Sequence, residues 1–336
     1  MDPPLFLDLK ALENIKNGDD VWSAVTELDF PVWETIPESG FRRVVGSCNG
    51  LVLPNPLLVT GLKDSYKKFN GFGYDSATDD YKVIRGFAYD ANGAKKFMIQ
   101  IFALKTGSWR TVKDIDYVDL TKMQGLFLNG ALHWLGDLPE PDGDTRILSF
   151  DLGAEKFQET IQLPYADRFT HLLIHRNCLC ACSCPTESIN IWMMKEYGVK
   201  ESWTEIVQFS LENYVLNCVL DPDEFNLLVR PVCILENGVF LIDRMGGRKP
   251  GNVERVVVFS NLQEKTFEHF VKVTQDSDFT TFIYQETLVS PDIPTNKTNI
   301  VLGFAIWSDV YDLALIAVIW QCGNEEIWTH LVYGNR

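Results

Sequence analysis

Positive charge is scarce in this chain: 30 Lys and Arg face 46 Asp and Glu, a formal net charge of −16 with a pI near 4.7. Proteins that hold nucleic acid or anionic lipid release counterions at a basic surface, and here the mean field points the other way. Neither partner is expected; the acidity serves solubility or complements a protein target with a basic face. Basic and apolar N-terminal stretches are also missing. Met1-Asp2-Pro3-Pro4 opens neither a secretory leader nor an Arg-rich transit peptide. The longest apolar runs, 300–307 and 313–320, are separated by a break that holds Asp309 and Asp312. Burying both carboxylates in lipid would cost about 2.5–3.5 kcal/mol each, so two buried strands are expected there.

Cysteine is too sparse for a disulfide scaffold, with 8 in 336 residues. Four of them, Cys178, Cys180, Cys182 and Cys184, alternate strictly. On a strand that places them on one face with Cα atoms about 6.6–6.8 Å apart, at the limit for a disulfide. Tetrahedral metal sites use CxxC-type turns, which are absent. The reading is a half-buried strand with reduced thiols acting as small apolar groups, in the cytoplasm or nucleus.

Catalytic motifs are absent as well. No GxSxG, GxxxxGK[ST], HExxH or EF-hand loop occurs, and Gly71-Phe72-Gly73-Tyr74 lacks the third glycine of a dinucleotide fingerprint. The histidines are His133, His171, His175, His269 and His330. His171 and His175 would pair on a helix, but Leu172-Leu173-Ile174 between them reads as strand, which separates them by about 13 Å. Asp75, Asp79 and Asp80 lack the closing glutamate of a calcium loop and fit an Asx-type turn between strands. No catalytic residue, cofactor or metal is predicted, and the chain is not expected to be an enzyme.

What the chain does contain is short β-type segments punctuated by turns; residues 7–15 are the one helical candidate. A unit recurs in which an apolar strand ends in an aromatic, a polar turn follows, and a second aromatic closes it. The leading aromatics Phe102, Phe150, Trp192 and Phe259 are spaced by 48, 42 and 67 residues. Turns at Asn49-Gly50, Asn129-Gly130, Asn177-Cys178 and Asn237-Gly238 each precede a strand. A period of 40–50 residues with several strands predicts an all-β, kelch-like β-propeller with antiparallel blades, rather than a large sandwich. Trp109, Phe157, Trp203 and Phe267 are then wedge fillers between blades. Two surface excursions are the candidate partner-binding loops: an acidic one with Asp137, Glu140, Asp142 and Asp144, and a basic one at 245–252 with Arg248 and Lys249.

Several motifs together carry a resemblance. They are Val44-Val45-Gly46-Ser47-Cys48-Asn49-Gly50-Leu51, Gly71-Phe72-Gly73-Tyr74-Asp75 with Asp79-Asp80-Tyr81-Lys82-Val83, and Phe127-Leu128-Asn129-Gly130-Ala131-Leu132-His133-Trp134. Further along come Ile147-Leu148-Ser149-Phe150-Asp151-Leu152 with Leu163-Pro164, and Ile191-Trp192-Met193-Met194 followed by Glu201-Ser202-Trp203-Thr204. In this order they resemble the plant F-box-associated domain of F-box/kelch-repeat and S-locus F-box type proteins. The resemblance implies a substrate-recognition receptor of an SCF-type ubiquitin ligase, acting in ubiquitin-dependent degradation, with no catalytic residue carried over. It places a propeller-like domain at 1–291 and leaves 292–336 as an unassigned extension with room for extra strands. The F-box that docks a Skp-type adaptor is not among the matching motifs, so adaptor docking is expected only where an F-box is supplied. The alternatives are a free-standing interaction scaffold and a small-molecule-binding or hydrolytic propeller.

Overall fold

In the computed structural model the residues described are 5–8, 25–27, 44–48, 51–54, 68–112, 115–116, 119–120, 124–137, 145–158, 160–165, 169–184, 188–210, 228–234, 239–249, 252–261, 266–274, 279–287 and 298–306. Apart from one 3₁₀ turn at Lys200–Ser202, their regular structure is antiparallel strand, grouped in six sheets. Blade I is the hairpin Val44–Cys48 and Leu51–Pro54. Blade II runs outward as Lys68–Asp75, Asp80–Ala91, Ala94–Ala103 and Ser108–Thr111, with Ile115–Asp116 at its edge. Blade III comprises Asp119–Leu120 and Leu126–Leu128, then Ala131–Asp137, Thr145–Asp151 and Lys156–Phe157, with Ile161–Gln162 added. Blade IV is Phe169–His175, Cys178–Ser183, Ser188–Met194 and Trp203–Ser210. Blade V is Leu228–Ile234, Val239–Lys249, Asn252–Asn261 and Thr266–Thr274.

Blade VI joins the two ends of the chain. Its inner strands are Phe279–Thr287 and Thr298–Ile306; its outer strands are Leu5–Asp8 and Val25–Glu27. Leu5 pairs with Phe304 and Asp8 with Val301. The first strands of successive blades lie side by side, and Phe279–Thr287 lies against both Leu228–Ile234 and Val44–Cys48. The inner ring therefore closes, giving a β-propeller-like fold.

Two expectations need correction here. Leu7 and Asp8 belong to a strand, not to a helix, because pairing with Thr298–Ile306 outweighs the weak local periodicity; the rest of 7–15 lies outside the described residues. The third turn is also shifted by one residue. Arg176 and Asn177 take φ of 49° and 56°, and His175 pairs with Cys178. Asn129-Gly130 turns as expected, and Asn92-Gly93 does the same between Ala91 and Ala94.

The core consists of seams between blades. Blade II meets blade III through Phe69, Ile84, Phe97, Ile101, Leu132 and Trp134. Gly71 and Gly73 allow this seam to close. A Cβ on Gly71 would strike Leu132 and Trp134, and one on Gly73 would strike Phe127 and Leu152. The Gly-Phe-Gly-Tyr motif is thus a place of close approach between sheets. Cys180 and Cys182 lie in the seam with blade V, beside Ile191, Ile234 and Phe240. Burial pushes the thiols of Cys180 and Cys233 up to about 12, so they behave as apolar groups.

Candidate functional site

A sheet of four antiparallel strands returns the chain to the end at which it entered. In blades II to V the connection between second and third strands therefore falls at the entry end, and the other two connections fall at the opposite end. The parallel bridge between Asn70 and Gln124 shows that the chain enters blade III in the direction of the inner strand of blade II. The entry end carries the Asn92-Gly93 turn, the 138–144 connection, and the connection after Lys249. Both candidate partner-binding segments thus belong to the same end of the ring.

Their forms differ from the expectation. Asp137 ends a strand and pairs with Thr145, whose Oγ1 donates to its carboxylate at 2.7 Å; Glu140, Asp142 and Asp144 lie outside the described residues. The basic segment is no open loop. Met245 pairs with Arg255, Gly246 with Glu254 and Lys249 with Asn252, so Arg248 and Lys249 stand at the tip of a hairpin that extends a few residues beyond its flanking strands, which end at Leu228 opposite Met245 and at Thr274 opposite Glu254. The β-branched run Val256-Val257-Val258 was the signal for pairing, interrupted toward the tip by Gly246, Gly247, Pro250 and Gly251.

The opposite end is tied by buried polar contacts. Lys82 and Asp75 are 4% and 3% exposed, and Lys82 Nζ donates to Asp75 Oδ2 at 2.6 Å. The same ammonium donates to Leu152 O at 2.9 Å and to Glu155 Oε1 at 2.7 Å, both on blade III. Arg110 also pairs with Glu155. The Asx turn expected at Asp75 is present: its carboxylate accepts from the Ala77 amide at 3.0 Å and from Thr78 Oγ1 at 2.6 Å. Burial raises the Asp75 pKa, but the bonds from Lys82, Thr78 and Ala77 outweigh it and hold the carboxyl below its usual range.

Blades III and IV are tied by His133. Its Nδ1 lies 3.1 Å from Leu126 O, which fixes the proton there, and its Nε2 accepts from Tyr197 Oη at 2.5 Å. Ser149 Oγ stands 3.5 Å from the same nitrogen. Burial pushes His133 down to about 4, so the ring is neutral at physiological pH. The Ser149–His133 pair is sealed in the seam, with both residues at 0% exposure, and is not placed to meet a substrate. His171 and His175 are not brought together: His171 Nδ1 lies 2.9 Å from Thr170 Oγ1, and His175 Nδ1 lies 3.1 Å from Ile234 O. No group of three His, Cys, Asp or Glu that could hold a metal occurs among the described residues, and no helix among them is long and apolar enough to cross a membrane.

The wedge aromatics divide. Phe157 packs edge-on to Phe150, and Trp203 is buried with its Nε1 donating to Gln162 O at 3.0 Å. Trp109 is half-buried against Phe102 and carries the Arg85 guanidinium on its face at 3.7 Å; the side chain of Phe267 lies outside the described residues. Sequence reasoning missed Arg85, Lys82 and Glu155. Two charged residues three apart in an otherwise apolar stretch, Lys82 and Arg85 among Val83, Ile84 and Phe87, were the only signal for the first two.

A closed ring of antiparallel blades is also what comparison with known proteins returns: residues 44–294 match the model of the F-box associated beta propeller domain. The chain belongs to this family. An F-box protein of Arabidopsis thaliana is 30% identical over 257 residues, covering 60% of this chain and 60% of the relative. The F-box protein CPR1 of the same plant is 30% identical over 165 residues, 41% of this chain and 39% of the relative. An F-box/kelch-repeat protein of Arabidopsis thaliana is 24% identical over 282 residues, 75% and 70% of the two chains. The match thus spans less than two thirds of the length of the first two. Among solved structures, prolyl oligopeptidase B from Galerina marginata aligns with a TM-score of 0.34 at 10% identity, over 70% of this chain and 32% of that one.

Proposed function

We propose that this F-box-associated propeller is the target-holding module of an SCF-type ubiquitin ligase receptor, a non-catalytic subunit of the cytoplasm or nucleus. The observation that carries the reading is the family match across the ring, together with the unequal ends of that ring. One end is locked by Lys82–Asp75–Glu155 and His133–Tyr197, while the other bears hairpin tips rich in charge. A rigid scaffold with variable loops at one end is the usual arrangement of a recognition surface. Asp137, Glu140, Asp142 and Asp144 are assigned to a basic face of the target, and Arg248 and Lys249 to an acidic spot beside it. A Skp-type adaptor is engaged through an F-box, where one is joined to the propeller.

Proximity labelling in plant tissue, with the full chain and with 138–144 replaced by a Gly/Ser linker, tests this. The expected result is a set of labelled proteins that become polyubiquitinated and drop out with the replacement. Identical labelling by both forms would remove the assignment of these tips.

A further inference from the structure

Arg85 sits in the middle of blade II with no use in the scaffold just described. In register, Asn70, Arg85, Gln100 and Thr111 form one polar row across all four strands. The adjoining row on the same face is apolar: Phe72, Val83, Phe102 and Trp109. Arg85 Nε donates to Gln100 Oε1 at 2.8 Å, and its guanidinium lies 3.7 Å above the Trp109 ring and 5.2 Å from that of Phe87. Burial pushes the guanidinium down to about 10, a mark of its desolvation. No carboxylate pairs with it among the described residues, whereas Lys82, Lys105 and Arg110 on the same sheet all have one. Beside it, the side-chain oxygen of Asn70 is buried and receives no donor.

Among the described residues this leaves a half-buried cation without a counter-charge and a buried acceptor without a donor, and each costs free energy until a partner supplies it. Arginine and tryptophan are also among the residue types enriched at interface hot spots. We infer that the Asn70–Arg85–Gln100–Trp109 row is a recognition point for an acidic peptide segment of the target, a Glu or Asp carboxylate meeting Arg85 and a peptide N–H meeting Asn70. A peptide supplies both the anion and the donor, whereas a free inorganic anion supplies acceptors alone.

This inference rests on the protein-binding reading above. Its test is selection of a phage-displayed random dodecapeptide library on the intact chain and on Arg85→Met, with melting midpoints of both. Wild type is expected to enrich Asp or Glu at one position at least fivefold, and Arg85→Met to lose that position. The midpoint of Arg85→Met is expected to stay level or to rise by about 2–4 °C, because an unpaired charge has been removed. Acidic enrichment that survives in Arg85→Met, or selected peptides lacking an acidic position, would sink the inference and leave the protein-binding reading standing. Failure of the wild-type chain to select any peptide would count against both. A fall in midpoint with Arg85→Met would show that the scaffold itself uses the guanidinium and would overturn the proposal. Trp109→Phe, which keeps an aromatic face, should retain the acidic position with weaker enrichment.

Discussion

His133 shows how much one residue can contribute to a propeller seam. Its ordinary pKa of 6.5 falls to about 4 in the folded state, because burial disfavours the charged ring. Between those values the unfolded chain takes up a proton that the folded chain refuses, so stability falls as pH drops from about 6.5 to about 4 and levels off below. The shift corresponds to about 3 kcal/mol at most. Urea midpoints at pH 7 and pH 4.5 should therefore differ more for wild type than for His133→Asn, which keeps a donor for Leu126 O; equal differences would contradict the assignment. Lys82 makes a sharper case. Lys82→Met leaves the buried Asp75 without its cation, while Glu155 keeps Arg110, and should cost about 3–5 kcal/mol by chemical denaturation. The thiols are quiet by contrast: at pH 8, Cys180, Cys182 and Cys233 should resist iodoacetamide until the chain is unfolded, since burial raises all three.

At the scale of the element, seams decide more than strands do. The inner strand of blade II reads Lys68–Asp75 with glycine at 71 and 73, which weakens it as an isolated strand. The gain appears only where blade III presses Leu132, Trp134, Phe127 and Leu152 onto those glycines. Gly73→Val should thus overpack the seam and cost about 1–3 kcal/mol, seen as a lower melting midpoint with little change in strand content by circular dichroism. The β-bulges follow the same logic. The register shifts between Ile191 and Trp192, where Ile206 is the extra residue of the partner strand, and Ile206 and its neighbour Val207 then both pack in the seam with blade V. Alternation is legible in a sequence, but a one-residue insertion in a partner strand is not.

The whole molecule depends on its ends. Leu5–Asp8 covers the edge of Thr298–Ile306, which would otherwise offer a free row of peptide groups. Removing residues 1–8 should lower the melting midpoint and produce concentration-dependent association in sedimentation runs; a monomer of unchanged midpoint would show that closure does not depend on this strand. Electrostatics acts at the same scale. With a net charge of −16, association with a basic-faced target should slow as salt is raised, by tenfold or so between low and physiological ionic strength. The Arg85 row, half-buried and local, should respond much less. Measuring association rates against salt for wild type and Arg85→Met separates the two contributions.

Residue type and spacing by themselves determined the strand-rich class, the repeat, the Asn-Gly turns, the Asx turn at Asp75 and the single thiol face of Cys180 and Cys182. These follow from local backbone preference and from period-2 alternation, which act within a few residues. The closing blade, the pairing of Lys82 with Glu155, and the meeting of His133 with Tyr197 belong to the tertiary structure alone, since each joins residues 64 or more positions apart. The same holds for Arg85: its charge was always visible, but its isolation from any carboxylate among the described residues emerges only when the strands are set in register.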